Sequence, residues 1–307
     1  MSQPSFRVAL AFVLLGAVVQ AAVADADQPL VADARPALPW PPEISPETMC
    51  GTTEEYQDVE LYDGQLGPSV DLVMRHQPTT LQLRWVDKDT IRSRLPDHAV
   101  GTVGGQPWCT GSLIGPSLVL TAGHCLDAQR GADRWFTPFR MVGNAPVFAP
   151  PEKLASLLVA VFLYQINGET REPREEIVFP VVELLEHRRE GLDYALLELG
   201  PGADGRPPGD SFGAAEVATR EPREAELAMV IQHPRGWRKK VEAGRILRTV
   251  GSEAWYDDID TYGASSGSGI RDGEGKLIGV HTHGGCNTNG GNRGVTTAAI
   301  ARASDAL

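Results

Sequence analysis

The sequence predicts an all-β fold, and three observations carry that expectation. Beyond residue 100 the chain is a succession of short apolar runs cut by Gly and Pro. No long stretch after residue 110 is dominated by helix formers. The 33 glycines and 23 prolines among 307 residues supply the turns that many short strands need. A hydrophobic share of 42% and a charged share of 22% are an ordinary globular balance, enough for one large or two small domains. The formal charge of -12 argues against a general affinity for nucleic acid.

The elements follow in order. Arg7 provides a positive start, Val8 to Val19 is almost unbroken apolar sequence, and Ala22-Val23-Ala24 precedes Asp25. Residues 1–24 therefore read as a secretory signal peptide. The apolar run is shorter than the roughly 20 residues of a membrane span, and an uncleaved anchor is the alternative. The expected protein is secreted, extracellular or periplasmic, without stable membrane association after signal cleavage. Residues 25–80 begin Pro-rich, acidic and aperiodic. They are expected to be an extended leader, either a pro-segment of a zymogen or an N-terminal arm. Arg75, Arg84, Arg92 and Arg94 are candidate processing sites, and none stands out.

Residues 81–307 form the expected folded domain. Ser112 to Thr121 reads as two strands around a Gly-Pro turn. Leu157–Ile166, Ile177–Leu185, Tyr194–Leu199, Leu227–Gln232, Arg245–Val250 and Leu277–His281 complete the set, and residues 301–307 suggest a short C-terminal helix. Strands of this length and spacing suit a barrel or a sandwich.

Three segments carry chemistry. The first is Cys109-Thr-Gly-Ser-Leu-Ile-Gly followed by Leu118-Val-Leu-Thr-Ala-Gly-His-Cys, ending at His124 and Cys125. The second is Asp193-Tyr-Ala-Leu-Leu-Glu-Leu, a carboxylate at the start of an apolar strand; taken alone, such an Asp is commonly a turn residue. The third is Gly263-Ala264-Ser265-Ser266-Gly267-Ser268-Gly269. A serine hydroxyl needs a base to become a nucleophile, the base needs an orienting carboxylate, and the developing oxyanion needs backbone N–H groups. A bare G-x-S-x-G reading selects Ser265 and an α/β-hydrolase elbow, but that fold runs Ser, Asp, His along the chain, whereas this one runs His, Asp, Ser.

These segments resemble the chymotrypsin-like (trypsin-like) serine peptidases, and most nearly the bacterial glutamyl endopeptidase or V8-like branch. The likeness spans about residue 100 to the C-terminus. It rests on the Cys-braced Thr-Ala-Gly-His-Cys, on Ser-Gly-Ser after the nucleophile, on Val280-His281-Thr282 and on Asn292-Arg293-Gly294. The resemblance implies two antiparallel six-stranded β-barrels with the site in the cleft between them, and a triad of His124, Asp193 and Ser266. The N–H groups of Ala264 and Ser266 would form the oxyanion hole. It also implies a Cys109–Cys125 disulfide bracing the histidine. Many relatives have Gly where Ala264 stands and Pro where Gly269 stands; neither change removes a reacting group. Cys50 and Cys286 then remain, and we expect them to pair, since an odd thiol is a liability in an exported protein; removal of Cys50 with a pro-segment, which would leave Cys286 free, is the alternative. The long insertion between His124 and Asp193, including Pro146–Pro151 and Glu169–Glu176, is expected as surface loop.

The bond cleaved is less evident. By the same resemblance Thr261 and His281 match groups that receive an acidic P1 side chain. Counted back six residues from Ser266, Asp260 falls where a trypsin-like pocket carries its carboxylate, which would favour Lys or Arg instead. His281-Thr282-His283 with Cys286 nearby raises a metal site, but a site needs three or four ligands, so no metal and no cofactor are expected. The expected partners are protein or peptide substrates acting on a monomer. A catalytically silent secreted binding protein on the same fold is the competing reading, and an intact triad separates the two.

Overall fold

The computed structural model describes residues 49–128, 136–286 and 290–307. The expected signal peptide and the first part of the leader, up to residue 48, lie outside the described residues.

In chain order the strands are β1 (Gln57–Asp58), β2 (Thr80–Trp85), β3 (Pro107–Leu113), β4 (Leu118–Thr121), β5 (Phe139–Val142), β6 (Ala145–Phe148), β7 (Leu158–Phe162), β8 (Ile177–Arg188), β9 (Tyr194–Leu199), β10 (Leu227–Gln232), β11 (Lys240–Arg245), β12 (Arg248–Val250), β13 (Glu253–Tyr256), β14 (Gly269–Arg271), β15 (Leu277–His283) and β16 (Asn292–Thr296). The helices are short: α1 (Val70–His76), α2 (Lys88–Arg94), α3 (Pro151–Ala155), α4 (Gly209–Phe212) and α5 (Thr297–Ala303).

Six strands close the first barrel in the order β2-β3-β4-β9-β8-β7, every pair antiparallel, with β7 returning to β2. Leu83, Trp85, Leu113, Leu120, Phe162 and Leu196 fill it. The second half differs from the closed six-stranded barrel expected. It is an eight-stranded sheet in the order β1-β11-β10-β14-β15-β16-β13-β12. Its closure runs through the chain and not through a ladder. β11 and β12 sit near opposite ends of the sheet, yet only Ile246 and Leu247 separate them. At that bend the Ile246 N–H donates to Glu226 and the next N–H, on Leu247, donates to Trp255. One bent strand thus changes partners from the β10 side to β13, which curls the sheet around Val230, Ile246, Tyr256, Ile270 and Ile278.

The leader is a second departure from expectation. Residues 49–79 are not extended throughout; they hold β1, α1 and two short 3₁₀ turns. The reason lies in β10. Ala228 and Val230 face the interior of the curled sheet, while Met229 and Ile231 face outward. A strand apolar on both faces needs cover on both. Val59, Tyr62 and Val73 supply it, packed with Met229, Ile231, Val241 and Ala243. Ser69 caps α1 by accepting the Leu72 N–H. Beneath the arm Lys239 is fully buried and donates to the backbone and side chain of Gln77.

The long insertion is also more than surface loop. β7 and β8 fall on the two strands expected there, whereas α3 was not expected, and β5 and β6, not expected either, pair as a hairpin whose Met141, Val142 and Val147 are exposed.

Candidate active site

The sharp turn after β4 exists because Gly123 fits where nothing larger does. A Cβ there would press on the carbonyl oxygens of Arg188 and Tyr194. This turn delivers His124 to the edge of the first barrel, beside the Cys109–Cys125 disulfide, whose Cα atoms are 6.3 Å apart. The Trp108 indole N–H donates to the Cys125 carbonyl at 2.8 Å and fixes the turn from below.

Asp193 immediately precedes β9 and is 6% exposed. Its Oδ1 accepts the His124 backbone N–H at 2.8 Å, and its Oδ2 lies 2.8 Å from His124 Nδ1. With the carboxylate ionised, Nδ1 carries the proton and donates it. Nε2 then faces Ser266 Oγ at 2.6 Å, ready to accept the hydroxyl proton. Burial alone would raise the Asp193 carboxyl. The hydrogen bonds and positive charges of His124 and Arg189 outweigh burial and hold it well below the ordinary carboxylate range.

Arg189 is a residue the sequence reading missed. Its Nη1 lies 2.7 Å from Asp193 Oδ1, and its Nε donates to Asp127 Oδ2 at 2.8 Å. It stands four residues before Asp193 at the end of a charged run, which in sequence looks like any solvated turn.

The loop that carries Ser266 leans on the first barrel through another missed residue, Thr110. The Thr110 N–H donates to the Ser266 carbonyl at 2.8 Å, and its hydroxyl donates to the Ala264 carbonyl at 2.8 Å. Ser265 is turned away from His124; its Oγ accepts the Tyr262 N–H at 3.1 Å and its N–H donates to the Tyr262 carbonyl. Gly267 has φ +88°, and a Cβ there would collide with the Thr110 carbonyl and the Thr121 hydroxyl. Ala264 has φ +75°, so the Cβ that departs from the usual glycine is accommodated in a left-handed conformation.

The three pocket candidates are all buried. Asp260 Oδ1 accepts the Cys50 N–H at 2.6 Å, and its carbonyl accepts the Gln232 side-chain amide at 2.7 Å. Burial raises its pKa. The neighbouring Glu242 is pushed up to about 9 by burial and by the Asp260 charge. Thr261 Oγ1 has no hydrogen-bond partner among the described residues. His281 pairs through Nδ1 with the Tyr256 hydroxyl and is pushed down to about 3 by burial, with His283 and His124 adding to the effect. His283 faces His124 with ring centroids 6.1 Å apart. Among the described residues no group of three or more His, Cys, Asp or Glu gathers as metal ligands. Cys50 and Cys286 are joined, with Cα atoms 5.1 Å apart, so the arm is tied to the loop after β15.

Residues 109–280, more than half of the chain, match the trypsin-like peptidase domain. The chain belongs to that family. Exfoliative toxin A of Staphylococcus aureus is 28% identical over 196 residues, which are 62% of this chain and 62% of the toxin. The chain thus spans less than two thirds of the length of that relative. A solved Glu endopeptidase, in complex with MPD, superposes with a TM-score of 0.51 at 17% identity, covering 82% of this chain and 95% of its own. At that identity the likeness speaks for the fold. A serine endoprotease from Yersinia pestis gives a TM-score of 0.47 at 15% identity, covering 75% of this chain and 63% of its own. The peptidase-domain match begins at Cys109 of the brace and ends at Val280, so it includes His124, Asp193 and Ser266.

Proposed function

We propose that this chain is a secreted serine endopeptidase. The observation that carries the reading is the continuous relay from Asp193 through both nitrogens of His124 to Ser266, with contacts of 2.8 and 2.6 Å. His124 takes the Ser266 proton as Oγ attacks the peptide carbonyl. The Ala264 and Ser266 N–H groups receive the oxyanion, and His124 returns the proton to the leaving amine. Water then hydrolyses the acyl-enzyme with His124 again as base. Asp193, held ionised, stabilises the imidazolium formed in each half. Export accords with the pattern of residues 7–25 and with two disulfides. We take the working unit as a monomer acting on protein or peptide substrates.

For P1 we favour an acidic side chain. The Tyr256 hydroxyl, donating to His281 Nδ1, leaves the Nε2 proton of a neutral ring as a donor. The buried Thr261 hydroxyl adds a second polar group. Asp260, which would suit Lys or Arg, is engaged by the Cys50 N–H. A P1 scan with Glu, Asp, Lys and Arg peptides tests this. Cleavage after Glu or Asp, abolished in His281→Leu, is expected. Preference for Lys or Arg, lost in Asp260→Asn, would overturn the acidic assignment and leave the peptidase reading intact.

A further inference from the structure

The oxyanion hole depends on one peptide plane, that between Gly263 and Ala264. In a trans peptide the C=O and N–H point to opposite sides, and the described residues contain no cis bond. The Gly263 carbonyl accepts the Arg235 backbone N–H at 2.6 Å. The Ala264 N–H therefore faces the other way, and no described group accepts it. Rotation of this plane would relieve the positive φ of Ala264 and turn the N–H away from the substrate. No charged side chain within the loop prevents that rotation, because the residue before the nucleophile is the neutral Ser265.

What holds Arg235 comes from the N-terminal arm. Arg235 has φ +54°, and its guanidinium lies over the Tyr262 ring at 4.0 Å. Its Nη2 donates to Glu54 Oε1 at 3.1 Å. The Tyr262 hydroxyl donates to the same oxygen at 2.7 Å, and the Tyr56 hydroxyl donates to Oε2 at 2.8 Å. Glu54 stands four residues beyond Cys50, whose disulfide and N–H anchor the arm at Cys286 and Asp260. The arm thus grips the loop before Ser266 at both Asp260 and Tyr262.

We propose that Glu54 and Arg235 are positioning residues for the oxyanion hole. The arm carboxylate fixes Arg235, and the Arg235 N–H fixes the peptide plane that presents the Ala264 N–H. The inference rests on the peptidase reading above and assigns the arm a part in turnover.

The test uses the full exported chain, with Glu54→Gln, Arg235→Gly and the double variant. Glycine keeps the backbone N–H and accepts φ +54° while removing the guanidinium. The readouts are kcat and KM on the best peptide amide of the Glu, Asp, Lys and Arg P1 scan, inhibition by the matching peptide aldehyde, whose adduct places an oxyanion in the hole, and thermal midpoints. Each single variant is expected to lose on the order of tenfold in kcat, part of the 10²–10³ that removal of a whole donor costs, with KM nearly unchanged. Aldehyde affinity should fall by the same factor, and the double variant should be no worse than the poorer single one. An active wild type whose variants keep kcat and aldehyde affinity would overturn the proposal, as would losses that add or that track the thermal midpoint. A wild type that neither cleaves peptides nor binds the aldehyde would overturn the peptidase reading and the proposal together.

Discussion

Arg189→Gln should shift the acid limb of the kcat/KM profile to higher pH. The Asp193 carboxylate, the proposed triad acid, is shared between two cations, the His124 ring when protonated and the Arg189 guanidinium. Removing Arg189 leaves Asp193 entirely to the imidazolium, which becomes easier to form. The contacts of 2.7 and 2.8 Å on the two carboxylate oxygens put the cations roughly 6 Å apart. Between unit charges at that distance the interaction is about 3 kcal/mol at an effective dielectric of about 20 and under 1 kcal/mol in water. The Arg189 side chain is 37% exposed, so screening reduces the larger figure to about 1 kcal/mol, or about 0.7 of a pH unit. Asp127, bonded to Arg189 and 3.8 Å from His187, would lose its partner and add a small shift of the same sign. His283 faces the ring and Arg293 and Glu253 lie beyond it; none of these changes in the variant. The assay is hydrolysis of a chromogenic peptide from pH 4.5 to 9 at fixed ionic strength, with Arg189→Lys expected to restore most of the wild-type profile. An acid limb that stays in place or moves to lower pH would refute the reasoning.

Two other perturbations have definite expected outcomes. Glu242 is buried with a folded pKa of about 9, so between its unfolded value near 4.5 and 9 the native state holds a proton that the unfolded state has released, and stability falls as pH rises through that window. Glu242→Gln should therefore raise the thermal midpoint at pH 8, by on the order of 2 kcal/mol in stability, and change it little at pH 4.5; an equal effect at both pH values in thermal melts would contradict this. Gly267→Ala should cost about 3 kcal/mol and most of the activity, because φ +88° and the Thr110 carbonyl both oppose a Cβ; a variant with wild-type melting and kcat would contradict the geometry assigned to the nucleophile loop.

The legible parts were those where one local cause decides the outcome. β9 and β10 occupy the apolar runs read for them, 194–199 and 227–232, because each is bounded by turns and buried on both faces. The three residues singled out by motif and chain order are brought within hydrogen-bonding distance. What escaped depends on distant partners. The arm looked structureless because its three anchors, Val59, Tyr62 and Val73, lack a period and matter only against the outer face of β10. The bend at Ile246 and Leu247 is invisible in an apolar run that reads as one strand. Arg189, Thr110, Glu54 and Arg235 are ordinary surface or strand residues in sequence; their parts come from contacts as much as 181 positions away. The Asp260 pocket carboxylate shows the converse. Its spacing from Ser266 suggests a cation pocket, and the contact that its spacing does not reveal is the Cys50 N–H donated to its Oδ1.

The proposed role of Ser266 is that of a nucleophile activated by His124. Its most direct test is labelling of the exported protein with a fluorophosphonate probe, followed by peptide mapping of the adduct. One adduct is expected, on Ser266, absent from Ser266→Ala and His124→Ala and retained in Ser265→Ala. An adduct on Ser265, or labelling that survives Ser266→Ala, would contradict it.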